Sequence, residues 1–316
     1  MVSYDGHYRA YKEYSKLDFV LHDFAAGARF DHTARFTTSF NVHYADQIEL
    51  PGDTNAIAVA RDKYIELSNK RLNVAGIYGT DKSIGQLKVE VATGEYDFNL
   101  AEQAYRDNTY NQATTTFFYR LAPKTRAFVE AGYADYDHQQ LAQRPVQSNE
   151  VRTLRGGLEW KVTGKTTGSF QLGYQERDYD AAVFSDLSGL SYKLDMEWLP
   201  NTYTKVVIGS KRVTQESAIE NRGGYINTDY FTRVSHDFSH AISGKLGYTF
   251  GLADLNYGEV QDFTRHQVEL SGSWSWHPAF STELSYLYNT RQSDSDVYEY
   301  KNNEISFVFR FDYERI

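Results

Sequence analysis

Ala34-Arg-Phe-Thr-Thr-Ser-Phe-Asn-Val-His-Tyr44 carries an apolar or small residue at every second position, with Phe36, Phe40, Val42 and Tyr44 on one parity. Arg35, Thr37, Ser39, Asn41 and His43 fill the other. Successive strand residues point to opposite faces, so such a segment is two-faced along its whole length. The same rhythm recurs in Leu154, Gly156, Leu158, Trp160, Val162 against Arg155, Gly157, Glu159, Lys161. It returns in Leu190, Tyr192, Leu194, Met196, Trp198 against Ser191, Lys193, Asp195, Glu197, and again in Val268, Leu270, Gly272, Trp274, Trp276. Alternation sustained for about ten residues is long enough to cross a bilayer on a tilted strand.

Alternation alone does not separate a soluble sandwich from a membrane barrel, but the connections do. Short turn-forming links stand at Asp31-His-Thr33, Gly79-Thr-Asp-Lys82, Ala122-Pro-Lys124, Gly164-Lys165, Pro200-Asn-Thr202, Ser239-His240 and His277-Pro278. Between them fall long links near 46–62, 99–107, 138–148, 180–187, 214–224, 253–262 and 292–300. Short turns alternating with long loops mark an outer-membrane barrel. The expected fold is all-β: a transmembrane antiparallel up-and-down barrel of about sixteen strands, with 14 and 18 as neighbouring counts and both termini periplasmic. The first strand is expected near 3–10 and the closing one near 301–313, within a single domain over 1–316.

Composition agrees. Among 316 residues there are 26 Tyr, 19 Phe, 5 Pro, 2 Met and no Cys. Mean hydropathy is −0.59, and no run approaches the roughly 20 apolar residues of a spanning helix. Without Cys there is no disulfide framework or thiolate metal site. Residue 1 opens directly onto Val2-Ser-Tyr4 without an apolar leader, which reads as a mature sequence after removal of a signal peptide. All four Trp (Trp160, Trp198, Trp274 and Trp276) share the apolar parity and precede short links. They are expected to form part of a periplasmic aromatic girdle.

The opposite parity is then expected to line the interior. Its charged candidates are Arg35, Lys88, Arg120, Arg126, Glu130, Arg155, Glu159, Arg177, Lys193, Lys205, Lys211, Arg233, Lys245, Glu269, Arg291 and Arg310. Basic groups lead there although the chain carries a net charge of −9, so acid is expected to concentrate in the loops. A net-basic lumen would favour anions; the plain alternative is a structural network of cross-strand ion pairs. The 46–62 segment, with its apolar Ala56-Ile-Ala-Val-Ala60, is the candidate for an inward-folded constriction. No spacing selects a catalytic trio, a metal array, a cofactor site or a nucleic-acid surface, and no enzymatic role is expected. Outer-membrane lipid and lipopolysaccharide are the expected surroundings; oligomeric state is open.

Several stretches resemble a known family. Gly168-Ser-Phe-Gln-Leu-Gly-Tyr-Gln-Glu-Arg-Asp-Tyr179, Leu187-Ser-Gly-Leu-Ser-Tyr192, Trp198-Leu-Pro-Asn-Thr-Tyr203, Thr214-Gln-Glu-Ser217 and Tyr298-Glu-Tyr-Lys-Asn-Asn303 are similar to the β-barrel porins of exopolysaccharide operons, the EpsL-like outer-membrane proteins. The resemblance covers about half the chain clearly. It implies an outer-membrane component of polysaccharide secretion that works with an inner-membrane synthesis machine and a periplasmic export partner, and it supplies no catalytic residues. Two functions follow as expectations: a passive exopolysaccharide export pore, or a diffusion porin for small solutes.

Overall fold

The computed structural model describes residues 1–10, 18–49, 65–141, 144–219, 221–255, 262–293, 296 and 299–311. Sixteen strands follow one another in sequence order in an antiparallel up-and-down sheet. They are β1 Val2–Arg9, β2 Phe19–Asp31, β3 Phe36–Glu49, β4 Ile65–Tyr78, β5 Gly85–Phe98, β6 Asn108–Ala122, β7 Thr125–His138 and β8 Asn149–Thr163. Then come β9 Thr166–Tyr179, β10 Leu187–Trp198, β11 Thr204–Gln215, β12 Tyr225–Asp237, β13 Ile242–Asp254, β14 Phe263–His277, β15 Phe280–Ser293 and β16 Tyr300–Phe311. Each short link expected from the sequence joins an even strand to the next, and each long one joins an odd strand to the next. The 99–107 link holds a short 3-10 turn, Ala101–Arg106. Most of the 46–62 segment lies outside the described residues. Among the described residues β1 and β16 are the sheet's edges, with no ladder joining them.

Two compact units are formed. The first takes Met1–Gly156, Gly173–Leu190 and Thr214–Gly224; the second takes Gly157–Leu172, Ser191–Val213 and Tyr225–Ile316. Strands β8 to β11 therefore each contribute to both.

Register keeps the two parities apart. Along β3 and β4, Phe40 pairs with Val74 and Val42 with Leu72, while Asn41 pairs with Asn73 and His43 with Arg71. A one-residue slip would turn every apolar side chain to the wrong face. In the first unit Phe40, Val42, Leu72, Val91, Phe117, Val129 and Leu154 are exposed. In the second, Phe170, Leu246, Leu270, Leu284, Ile305 and Phe307 are exposed on the equivalent parity. Large apolar side chains left open on one face of strand after strand, β11 excepted, require a non-aqueous neighbour.

Tight turns fix that register. Gly79 ends β4 with φ of 99°, its N–H donating to the Arg35 carbonyl at 2.7 Å. A Cβ there would stand 2.7 Å from the Gly85 carbonyl oxygen, so both backbone angle and space demand glycine. Gly79→Ala is expected to cost about 1–3 kcal/mol, read as a lower urea midpoint for the lipid-reconstituted protein. An unchanged midpoint would show that this turn does not hold the β4–β5 register.

Candidate functional site

The polar face of the first unit carries the densest constellation of side chains. Cross-strand register builds it in two rows across β4 to β7. One row is Asn69–Tyr96–Asn108–His138, and the other is Arg71–Gly94–Tyr110–Tyr136. Aromatic side chains here break the pattern in which rings follow the apolar parity. The rings of Tyr96 and Tyr110 are 5.4 Å apart between centroids, and those of Tyr110 and Tyr136 are 6.0 Å apart. Tyr110 is 1% exposed and wedged between two half-buried neighbours. Its hydroxyl donates to Asn69 Oδ1 at 3.4 Å, and Gln112 Nε2 donates to the Tyr136 hydroxyl at 2.9 Å. Gly94 makes the row possible: a Cβ would lie 2.5 Å from the Tyr110 hydroxyl oxygen.

The link between β11 and β12 folds over this face. Thr214 N–H donates to Gln175 Oε1 of β9 at 2.9 Å. The Tyr105 hydroxyl donates to the Ala218 carbonyl at 2.9 Å, and Gln147 Nε2 to the Arg222 carbonyl at 2.5 Å. Glu216 is the anchor. Arg177 Nη1 donates to Glu216 Oε1 at 3.0 Å and to Asn149 Oδ1 at 2.7 Å. His138 Nε2 meets Glu216 Oε2 at 3.2 Å, and Arg177 Nε donates to Thr214 Oγ1 at 3.3 Å. Arg177 also lies 5.6 Å from the centre of the Tyr136 ring, within cation–π range. Burial by itself would raise the Glu216 carboxyl. The His138 hydrogen bond and the attraction of His138 and Arg177 outweigh it and hold the group down at about 2. The 46–62 segment, expected from the sequence to fold inward, lies mostly outside the described residues; among those described, 216–219 and 221–224 fold over this face.

The basic candidates named from the sequence sit mostly beside carboxylates. In the first unit Lys88 pairs with Glu90 at 2.6 Å, Arg126 with Asp81 at 3.3 Å and Arg155 with Glu130 at 3.4 Å. In the second, Lys193 pairs with Asp195 at 3.1 Å, Lys211 with Asp229 at 3.4 Å, Arg310 with Glu283 at 2.8 Å, and Lys205 with Glu197. This is the interior network rather than a field of free cations. Arg120 stands directly opposite Arg126, whose guanidinium stacks 4.3 Å from the Phe118 ring. Arg35 lies in the turn before β3, not in a strand. Arg291 is 1% exposed, with Phe263 and Tyr300 rings at 4.9 and 5.1 Å.

The second unit holds a cavity of about 370 Å³ lined by Arg233, Lys245, Glu269, Glu283, Glu304 and serines, together with Leu246, Leu270, Tyr286 and Leu287. Ser235, Lys245, Ser271, Ser285 and Ser306 form one row across β12 to β16. Gln267 donates to Glu269 at 2.5 Å. Glu159 lies on the same parity of β8.

The opposite face is banded. Trp160, Trp198, Trp274 and Trp276 all belong to the second unit and stand near the short-link ends of β8, β10 and β14. Trp276 stacks on Phe280 at 5.0 Å. At the long-link end tyrosines take over: Tyr192 and Tyr230 hydroxyls meet at 2.9 Å, and Tyr248 meets His266 at 2.8 Å. In the first unit this end turns ionic, with Lys70 on Glu95 and Asp97 and Arg152 on Glu150 and Asp178. An apolar band between two amphipathic rims has the form of a bilayer-facing surface.

Comparison with known proteins follows the same line. The family model described as Putative beta-barrel porin 2 matches residues 1–313. The chain belongs to that family. It is an outer-membrane β-barrel porin, located in the bacterial outer membrane. Among solved structures, this porin is similar to the FrpB iron transporter of Neisseria meningitidis (F3-3 variant), with 11% identity and a TM-score of 0.55 over 92% of this chain and 57% of that one. It is also similar to Pseudomonas aeruginosa FpvA in complex with a heterologous pyoverdine and iron, at 8% identity and TM-score 0.54 over 93% and 52%. The ferripyoverdine receptor of the outer membrane of P. aeruginosa gives 8% identity and TM-score 0.50 over 98% and 57%. These likenesses concern the fold, and the porin spans little more than half the length of those structures. No curated protein matches the sequence.

Two measurements probe this arrangement. Because the Glu216 carboxyl is lowered from 4.5 to about 2, its contribution is complete above pH about 4.5 and fades as pH falls towards 2. Protection from hydrogen–deuterium exchange at 216–219 and 221–224, taken relative to an unstructured chain at each pH, should stay high at pH 5–7 and fall only below pH about 4. Glu216→Gln, which strands Arg177, should cost about 3 kcal/mol and lower protection at pH 5–7, the difference from wild type shrinking as pH falls towards 2; equal protection in both proteins at pH 5–7 would remove the anchor role. On the lipid-facing parity, Leu246→Arg should destabilise by about 2–4 kcal/mol in vesicles. Thr249→Arg, on the polar parity of the same strand, should stay within about 0.5 kcal/mol; equal losses would refute the assignment of faces.

Proposed function

We propose that this porin is a closed sixteen-stranded pore whose polar face lines a passive conduit for a secreted exopolysaccharide. Both termini and the short links face the periplasm in this reading, and the four Trp form the periplasmic girdle. The observation that carries it is the wall itself: charges are held in cross-strand pairs between hydroxyl and amide side chains. A long hydrophilic polymer needs such a surface, because weak repeated contacts let it slide whereas isolated charges would trap it or repel it. Pairing with carboxylates shields many of the basic groups on this face, so only a weak anion preference is part of the reading.

The sequence motifs shared with the EpsL-like proteins of exopolysaccharide operons support the polymer as cargo. An inner-membrane synthesis machine and a periplasmic export protein are the partners this assigns, with lipopolysaccharide surrounding the outer leaflet. The pore acts without chemistry on its cargo, so purified protein should hydrolyse neither lipid nor glycan. One observation favours a second reading as a small-solute porin. The 216–224 link fastened over β7 to β9 would narrow a closed lumen as a constriction does.

Planar-bilayer recordings separate the two readings. As an export conduit, the pore should show ion permeabilities of comparable size for K+ and Cl−, with current blocked by the cognate polymer, and its deletion should abolish secretion of that polymer. Free conductance in the presence of polymer, with normal secretion in the deletion strain, would sink the export reading and leave the small-solute porin.

A further inference from the structure

In the tyrosine row of the first unit Tyr110 is buried and packs the face, whereas Tyr96 and Tyr136 on either side keep part of their surface exposed. A polar wall can be built from cross-strand hydroxyls, amides and ion pairs, as β12 to β16 show. Three tyrosines on adjacent strands, all on the polar parity, instead give up charge and hydroxyl positions for ring surface. Gly94 lies in the same row, where a Cβ would meet first the Lys70 backbone carbonyl and then the Tyr110 hydroxyl at 2.5 Å. Around the rings stand groups that bond to hydroxyls. Asn69 and Gln112 sit at the tyrosine hydroxyls. Arg71 occupies the row beyond Gly94, and Arg177 and Glu216 lie beside Tyr136.

Sugar rings present one face of C–H groups and an equator of hydroxyls. The first is complemented by an aromatic surface and the second by amide, guanidinium and carboxylate groups. The opposite parity makes a useful contrast. Tyr133, Tyr174 and Tyr230 are exposed on the lipid-facing side, where tyrosine is explained by the membrane interface. That explanation is not open to Tyr96, Tyr110 and Tyr136.

We propose that Tyr96, Tyr110 and Tyr136, with Arg71, Gln112 and Arg177, form a carbohydrate-binding subsite on the conduit wall. This rests on the pore reading above and deepens it by naming where a glycan residue is held. Tyr96 and Tyr136 supply the open ring surface. Tyr110, buried between them, spaces the two, and Glu216 holds Arg177 beside the outer ring.

The test is single-channel recording of the full-length protein in planar bilayers, with maltohexaose as a neutral probe and hexagalacturonate as an acidic one. Transient current block by at least one probe is expected in the wild-type pore. Tyr96→Leu and Tyr136→Leu, which keep bulk and remove the ring, should raise the half-blocking concentration roughly three- to tenfold. Tyr96→Phe and Tyr136→Phe should retain most of the block, and Tyr174→Leu on the other face should leave it unchanged. Unaltered open-channel conductance in each variant certifies its folding. Block by neither probe, or block insensitive to the Leu substitutions, overturns the subsite while the pore reading stands. A wild-type protein that does not conduct overturns the pore reading and the subsite with it.

Discussion

Every backbone N–H and C=O that enters hydrocarbon must find its partner inside the protein, because the membrane core offers none. The ladders from β1 to β16 meet that demand between sequence neighbours, leaving only the outer edges of β1 and β16 without a ladder among the described residues. Everything else in the molecule follows from how the side chains then divide. Strand geometry sends alternate residues to opposite faces, and two media of opposite polarity lie on those faces. Apolar residues and the rims of Trp and Tyr take one medium; charged and hydroxyl-bearing residues take the other.

Charge on the polar face is handled locally. Lys88–Glu90 and Lys193–Asp195 pair along a strand, whereas Arg155–Glu130 and Arg310–Glu283 pair between strands. Such pairs offset the charge of the basic groups that they engage. Where they are partly exposed they add little stability, so their consequence is chiefly for what the wall will let pass. Arg177 and Glu216 differ: Arg177 is buried, and their contact fastens a connection between strands onto another part of the sheet. The aromatic row beside them gives this region ring surface that the paired charges elsewhere do not provide.

Much of the fold was legible in the sequence because period two and link length are local properties. The sixteen strands, their short turns and the side taken by each Trp follow from residues within ten positions of one another. Long connections were recognisable as long but not as to where they go. The apolar run of the 46–62 segment lies outside the described residues, and the anchored connection among the described residues is the one that carries Glu216. Its bonding depends on His138, Asn149 and Arg177, which lie far away in the chain. The polar parity of Tyr96, Tyr110 and Tyr136 was a visible departure from the aromatic-outward rule and could have flagged the site.

The sequence by itself determined the strand pattern, the two-faced chemistry and, through motifs spread along the chain, a resemblance to outer-membrane porins. Alternation and turn chemistry are written residue by residue, so no distant contact is needed to read them. Only the tertiary structure decided which charges neutralise one another, which connection folds over the wall, and that three tyrosines from separate strands stand side by side. Those outcomes depend on cross-strand register and on contacts between residues as much as 113 positions apart, as Tyr105 and Ala218 are. A local pattern carries no record of them.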